Sequence, residues 1–381
     1  MHLSHWEAET LFRPVDAAVI GSGIVGLTAA LSLREREPGL RIAVIERGAM
    51  PAGASTKNAG FACFGSLTEL LDDEQTMGED AVLDLVALRW KGLLRLRRRL
   101  GDRSIGYEPL GGFEVFAPED EAAWQACMER MPFYNQTLAD LTGRKRTYRR
   151  ADARAEAFGL RNTAHLIENA AEGQLDTGRM MQGLLALARK QDILLWNGLE
   201  IKALHDLRTH VELETREGWS LRAAQAVVAV NGFARRLMPQ LPVLPARNQV
   251  LVTREIPGLA LRGSFHYDKG YVYFRNVGSR ILLGGARNLD PAGETTDEPG
   301  LTDAIQARLE QLLRDMILPP GIEPDIERRW SGIMGVGPEK RPIVQQISPV
   351  ITVAVRMGGM GVAIGSLVGE QAAALALGHT L

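Results

Sequence analysis

VDAAVIGSGIVGLTAALSLRERE, residues 15 to 37, starts as a short apolar run, turns at Gly21-Ser22-Gly23-Ile24-Val25-Gly26, and continues with a helical pattern. Strand, G-x-G-x-x-G and helix in that order form the opening βα unit of a Rossmann-like α/β domain. Gly21 permits the tight turn, Gly23 lets a pyrophosphate approach the backbone, and Gly26 lets the helix lie close to the strand. The free N–H groups and partial positive charge at the helix start then face the phosphates. A second strand, RIAVIE, ends in Glu46, 20 residues past Gly26, where the ribose-binding acid of such a unit belongs. A carboxylate accepts hydrogen bonds from a ribose diol and repels a 2′-phosphate, so the nucleotide is NAD-like or FAD-like rather than NADP.

The stretch after Glu46 bears on that choice. Instead of a further crossover, Glu46-Arg47 leads into GAMPAGASTKNAGFACFG, residues 48 to 65, which has neither a helical nor a strand period. A long irregular segment in a compact domain is usually functional or disordered, and this one is too apolar for disorder. Its backbone amides and the side chains of Ser55, Thr56 and Asn58 can line a phosphate chain and then the edge of a flat ring, with Gly60 and Ala62 admitting the ring close to the backbone. A second pass of chain over one cofactor suggests a cofactor longer than a bare nicotinamide site needs.

GSGIVG, Glu46 and GASTKNAG together resemble the FAD-dependent oxidoreductases of the D-amino-acid oxidase and glycine oxidase family, in which a G-x-S-x-x-N-x-G segment follows the ribose acid and runs beside the flavin. Further segments resemble the family in the same order: AQAVVAVNGFARRL (224 to 237), RRWSGIMGVGPEKRPIV (328 to 344) and RMGGMGVAIGSLVGEQAA (356 to 373). The resemblance implies FAD as cofactor. It places Gly21, Ser22, Gly23, Ile24, Val25, Gly26, Glu46, Arg47, Ala54, Ser55, Thr56, Lys57, Asn58, Ala59, Gly60, Phe61, Asn231, Gly232, Gly358, Gly359, Met360 and Gly361 around it. The last glycines start a second helix, whose N-terminal donors would stabilise negative charge on the reduced ring. The implied reaction moves a hydride from the carbon bearing nitrogen of an amino acid or related amine to flavin N5, giving an imine that water hydrolyses. Oxygen or a quinone-type carrier would reoxidise the flavin. Two alternatives stand beside it: a flavin-dependent 2-hydroxy-acid dehydrogenase, and a flavoprotein domain acting in tRNA modification.

The expected architecture is a discontinuous FAD-binding domain (14–65, 150–235 and 325–381) interwoven with an α+β substrate domain built on an antiparallel sheet (66–149 and 236–324). Helices are expected over 67–100 and 120–141, a hairpin from VELETR to WSLRA, and another from YVYF to ILLGG across an Asn-Val-Gly turn. Amino-acid members of the family hold the substrate carboxylate with an arginine in a Gly-Leu-Arg-Pro string after Trp-x-Gly. Here the matching string is Gly332-Ile333-Met334-Gly335, so any carboxylate needs another cation. Arg275 and Arg287 end the YVYFR and ILLGGAR strands and are the first choices, ahead of Arg247 and Arg341, with Tyr271 and Tyr273 as substrate wall. His266 reads as a satisfied surface or core histidine and Cys63 as a small buried apolar residue, while Lys57 is a candidate for a phosphate contact or for oxygen activation.

Composition narrows the partners. With 381 residues, 45% hydrophobic, 24% charged and a formal charge of −2, the chain is an ordinary globular protein without a field for nucleic acid or anionic membrane. The run Arg95, Arg97, Arg98, Arg99 sits in a helical pattern and reads as a solvated face. Two cysteines, Cys63 and Cys127, are too few for a disulfide framework. MHLSHWEAETLFRP has no leader pattern, and the longest apolar stretch, GMGVAIGSLVGEQAAALALG, is broken by glycines, Glu370 and Gln371. The expectation is a cytoplasmic protein without an integral membrane segment or metal.

Overall fold

The computed structural model describes residues 3–319 and 321–380. The first residues of the leader reading and the last of the expected third cofactor segment lie outside the described residues. One sheet runs in the order Ile343–Ser348, Ile351–Val355, Ser220–Val228, Val15–Ile20, Ile42–Glu46, Leu194–Asn197. From Ile351–Val355 to Leu194–Asn197 every pairing is parallel. Strands of a parallel sheet are covered on both faces, which is why VDAAVI and IAVIE read as nearly unbroken apolar runs.

The helix Ile24–Arg36 packs against Gly361–Ala376, which packs in turn against Glu79–Leu100. Gly369 lets the first pair approach closely, since a Cβ there would lie 2.6 Å from Val25 O. The apolar stretch singled out as the best membrane candidate is thus an inner helix of this layer, and no helix among the described residues is long and apolar enough to cross a membrane. The basic run on Glu79–Leu100 is matched by acids: Arg95 meets Glu370, Arg97 meets Asp102 and Arg99 meets Glu35.

A second sheet runs Ile326–Val336, Leu244–Thr253, Arg280–Gly285, Val272–Val277, Ser264–Tyr267, Gly112–Phe116, His165–Asn169, Tyr148–Arg150. It is antiparallel except between Ser264–Tyr267 and Gly112–Phe116. Both expected hairpins form. Tyr148–Arg150, His165–Asn169 and Ile326–Val336 belong to this second sheet, so it overlaps the segments expected at 150–235 and 325–381. Alternation along a strand shows which residues face a core but not which sheet the strand joins. The helical stretch 67–100 is two helices, Leu67–Met77 and Glu79–Leu100, broken at Gly78, whose φ is +82°.

Candidate flavin and substrate site

A cavity of about 390 Å³ lies between the carboxyl ends of the parallel strands and the inner face of the second sheet. Gly21 through Val25 line it at the nucleotide end. Gly21 has φ +103°, and a Cβ on Gly23 would stand 2.8 Å from Ser55 Oγ. Gly26 does not reach the cavity; a Cβ there would collide with Gly21 O, so its role is the close approach of helix to strand. Glu46 is buried at the end of its strand, held by Ser22 Oγ at 2.6 Å and by the amides of Ser22 and Gly48 at 3.2 and 3.0 Å. Arg47 lays its guanidinium over Phe233, 3.9 Å from the ring centre.

The irregular segment forms one 3₁₀ turn, Ala54–Thr56, and then an extended pass past Phe61. Ala54, Ser55, Lys57, Asn58, Ala59, Gly60 and Phe61 line the cavity. Thr56 turns away and donates to Pro51 O at 2.9 Å. Asn58 is spent within the protein, donating to Ser55 O at 2.8 Å and accepting from Gly60 N at 2.9 Å and Thr177 Oγ1 at 2.8 Å. It shapes the loop that a ring would lie against.

Opposite, Asn231 lines the cavity while Gly232 does not; a Cβ on Gly232 would lie 2.5 Å from Met334 O. Gly358 and Gly359, with φ of +57° and +84°, lead through Met360 into the helix Gly361–Ala376, whose first turn faces the cavity.

The second sheet supplies the far wall: Asn248, His266, Tyr271, Tyr273 and Met334, with Arg287 just past the strand Arg280–Gly285. Asn248 donates to Tyr273 Oη at 3.2 Å, and its own Oδ1 is buried without a partner. Burial pushes the Tyr273 phenol up. The Arg287 guanidinium lies over Tyr271, 5.1 Å from the ring centre.

Three expected substrate cations are corrected. Arg275 does not line the cavity; it is buried behind the flavin loop, where Nη1 donates to Ala59 O, Gly60 O and Leu175 O at 3.0, 3.0 and 2.7 Å. Burial lowers its pKa to about 10, with Glu108 and Asp176 acting against the drop. Arg341 points out and pairs with Asp84 at 2.9 Å, and Arg247 pairs with buried Glu294 at 2.8 Å. Each strand-end arginine satisfied the same sequence criterion, and the neighbouring loops decided which way each one turns.

The sequence reading missed several cavity residues: Glu69, Asp72, Asn248, Lys269 and Lys340. Lys340 pairs with Asp73 at 2.6 Å and approaches Glu69 at 3.5 Å; Glu69 also pairs with buried Arg89 at 3.0 Å. The one available signal was that Lys340 and Arg341 are adjacent in a loop, so that only one of the two faces inward. Among the described residues no cluster of His, Cys, Asp and Glu has the arrangement of a metal site.

Glycine cradles at two helix starts, a buried acid at the ribose position and a loop pinned from behind fit a long dinucleotide with a flat ring. Sequence comparison agrees. The chain matches the model for the FAD dependent oxidoreductases designated DAO over residues 16–375, and it belongs to that family. It is an FAD-dependent oxidoreductase. It is 24% identical to a probable oxidoreductase of Rhizobium meliloti (strain 1021) over 97% of this chain and 84% of that relative. Glycine oxidase of Geobacillus kaustophilus (strain HTA426) is 24% identical over 86% of this chain and 85% of its own length. Among solved structures, glycine oxidase from Geobacillus kaustophilus superposes with a TM-score of 0.76 at 21% identity, covering 97% of this chain and 96% of the other. Iminodiacetate oxidase from Chelativorans sp. BNC1 does so with a TM-score of 0.76 at 23% identity, covering 96% of each.

Proposed function

We propose that this protein oxidises the C–N bond of an amino acid or related carboxylate-bearing amine, with Arg287 as the carboxylate anchor. Arg287 carries the reading: among the described residues it is the guanidinium on the substrate wall that lines the cavity without a protein acceptor. Arg236, Lys269 and Lys340, which also line it, are already paired with acids, Arg47 lies over Phe233, and Lys57 stands on the opposite, flavin-loop wall. A buried carboxylate needs a cation, because leaving it unpaired costs several kcal/mol. Tyr271 beneath the guanidinium would fix its plane, and Met334 would face the apolar part of a substrate larger than glycine. The bound flavin supplies the hydride-accepting centre. The chain's part is to orient the C–H bond, exclude water and keep the amine neutral.

The names of the relatives support an amine over a hydroxy acid: glycine oxidase, iminodiacetate oxidase and L-amino acid deaminase all act on C–N compounds. None of them points to tRNA, and the formal charge of −2 adds no support for it. The test is anaerobic bleaching of the flavin band by amino acids, N-substituted amino acids and the matching amines without a carboxylate. Arg287→Met should lower kcat/KM for the carboxylated substrate by about thirtyfold, or about 2 kcal/mol, with FAD still bound, and leave plain amines unaffected. An unchanged preference for the carboxylated substrate would remove Arg287 from the site. Exposing the bleached protein to air, and separately to a quinone, identifies the electron acceptor.

A further inference from the structure

Behind the second sheet's contribution to the flavin cavity lies a smaller void with buried walls, and His266 lines both. The chamber's other polar walls are Ser66, Glu114, Tyr148, Asn169 and Glu172, all buried, with the Tyr148 hydroxyl spent on Gly65 O. Two buried polar atoms of these walls have no hydrogen-bond partner in the protein, His266 Nε2 and Asn169 Nδ2, and Ser66 Oγ lies against the Glu114 carboxylate. Orphans of this kind are rare, and two around one void mark a place for ordered water. The centre of a water molecule has about 10 Å³ to occupy there, which suits a single water.

Two carboxyls complete the chamber. Glu172 spends Oε1 on the amides of Phe64 and Gly65, at 2.8 and 3.1 Å, and Glu114 accepts from Thr68 N at 3.3 Å and from Thr68 Oγ1. Glu114 stands opposite His266 in the parallel pairing of their strands.

We propose that His266, one internal water and Glu114 form a proton relay that takes the excess proton of an ammonium substrate out of the flavin cavity, with Glu172 beside it. This rests on the amine reading above. An amine substrate reaches the site mostly as its ammonium form, and hydride can leave the carbon only once nitrogen has a free electron pair. In the relayed step the substrate N–H bond breaks and its electron pair stays on nitrogen. One imidazole nitrogen gains that proton while the other gives its own to the water, and the water passes a proton to the Glu114 carboxylate, which becomes a carboxylic acid. No electron is transferred, and the charge lost by the substrate is the charge gained by Glu114.

The surrounding charges suit this direction. Burial lowers the His266 pKa to about 4, with Glu69 acting the other way, so the ring rests neutral and does not trap the proton. Burial raises Glu114 to about 7, against hydrogen bonds from Thr68, Ser66 and Leu67, and raises Glu172 to about 8, where Glu69 and Glu114 add to the shift. Around neutral pH Glu172 is therefore mostly protonated and Glu114 the readier acceptor. Burial also raises Glu69, but Arg89 and Lys340 outweigh it and hold that acid ionised. Cys63, Tyr148 and Tyr273, which face the same groups, are all pushed up by burial and stay protonated.

The experiment compares wild-type holoenzyme with His266→Asn and Ser66→Val by anaerobic flavin reduction across pH at subsaturating amine. Ser66 caps the helix Leu67–Met77 without a side-chain bond, so valine there fills the chamber and removes no cap, while it also takes away the hydroxyl beside the Glu114 carboxylate. The wild type should hold its rate down to about pH 7, whereas both variants should slow about tenfold for each pH unit below the substrate's amine pKa. Above that pKa the rate of each variant should become independent of pH. Wild-type activity with unchanged variant profiles overturns the relay alone, whereas failure of every amine to bleach the wild type overturns the functional reading and the relay with it. An infrared titration of the substrate-free holoenzyme is the second measurement. A carboxylic-acid band that titrates between about pH 6 and 9 and weakens in Glu114→Gln supports the acceptor; a band unaffected by Glu114→Gln removes it.

Discussion

Replacing Arg275 by methionine separates the two roles a strand-end arginine can have here. As a clamp, its Nη1 holds Ala59 O, Gly60 O and Leu175 O together, and its Nε holds Asn276 O. Gly60 O keeps another donor when the guanidinium goes, Leu175 N at 2.8 Å. Ala59 O and Leu175 O lose theirs, and two orphaned carbonyls cost about 1–3 kcal/mol each. Against this, the site disfavours the charge, and a pKa lowered from 12.5 to about 10 means that about 3 kcal/mol is recovered by removing it. The net effect on global stability is then small, from near zero to a loss of about 3 kcal/mol. The freed carbonyls, however, belong to the loop that lines the cavity, so FAD should dissociate about tenfold more readily. Titration of apoprotein with FAD, read by quenching of flavin fluorescence, measures this directly, and Arg275→Lys, with one compact cation in place of the fork, should fall between. An Arg275→Met protein that binds FAD within twofold of wild type, but loses its preference for carboxylated substrate, would refute the clamp and return Arg275 to the substrate.

The other predictions concern the cofactor and pH. Purified protein should be yellow with near one FAD per chain, and acid should release the flavin entirely; flavin retained by the denatured chain would mean a covalent bond, with Cys63 the first suspect. Glu46→Ala should weaken FAD binding by about 1.5–3 kcal/mol without unfolding, since charge-assisted ribose bonds are lost, and an unchanged FAD titration would place the ribose elsewhere. Glu114 and Glu172 have folded pKa values near 7 and 8, above the ordinary 4.5, so the stability they contribute is complete below about 4.5 and is lost as pH rises through 7 and 8. The melting temperature should therefore fall from about pH 4.5 to 8 and level off above, and fall less steeply in Glu172→Gln; an equal slope in both would show that these acids do not set it.

The cofactor half of the fold was legible because its rules are local. Gly21, Gly23 and Gly26 each answer a backbone demand visible in six residues, and Glu46 comes at a fixed distance along a strand. The substrate wall was less legible because its demands are long-range. Arg275 and Arg287 end strands of one hairpin and look alike in sequence, yet one is drawn inward by three carbonyls from residues 59, 60 and 175 and the other turns to the cavity over Tyr271. His266, read as a satisfied histidine, has an unsatisfied nitrogen, because the void beside it is enclosed by residues 66, 114, 169 and 172, which no pattern along one strand brings together.

The same long-range logic explains how a segment without period can be an ordered wall. Residues 57 to 65 have few ladder partners, yet buried backbone groups must be paired. They are paired by long side chains from elsewhere: Trp330 Nε1 donates to Lys57 O at 2.9 Å, Arg89 to Phe64 O at 2.9 Å and Tyr148 to Gly65 O at 2.8 Å, while Glu172 accepts from the amides of Phe64 and Gly65. With Arg275 at the middle, the loop is held from its far side, and its cavity side is left smooth and small. That arrangement needs charged and aromatic residues deep in the second sheet and in the helix Glu79–Leu100, where they serve the loop. Cations that a sequence reader assigns to substrate are in this fold divided between the wall's back and its front, and among the described residues Arg287 is the arginine at the front without a protein acceptor.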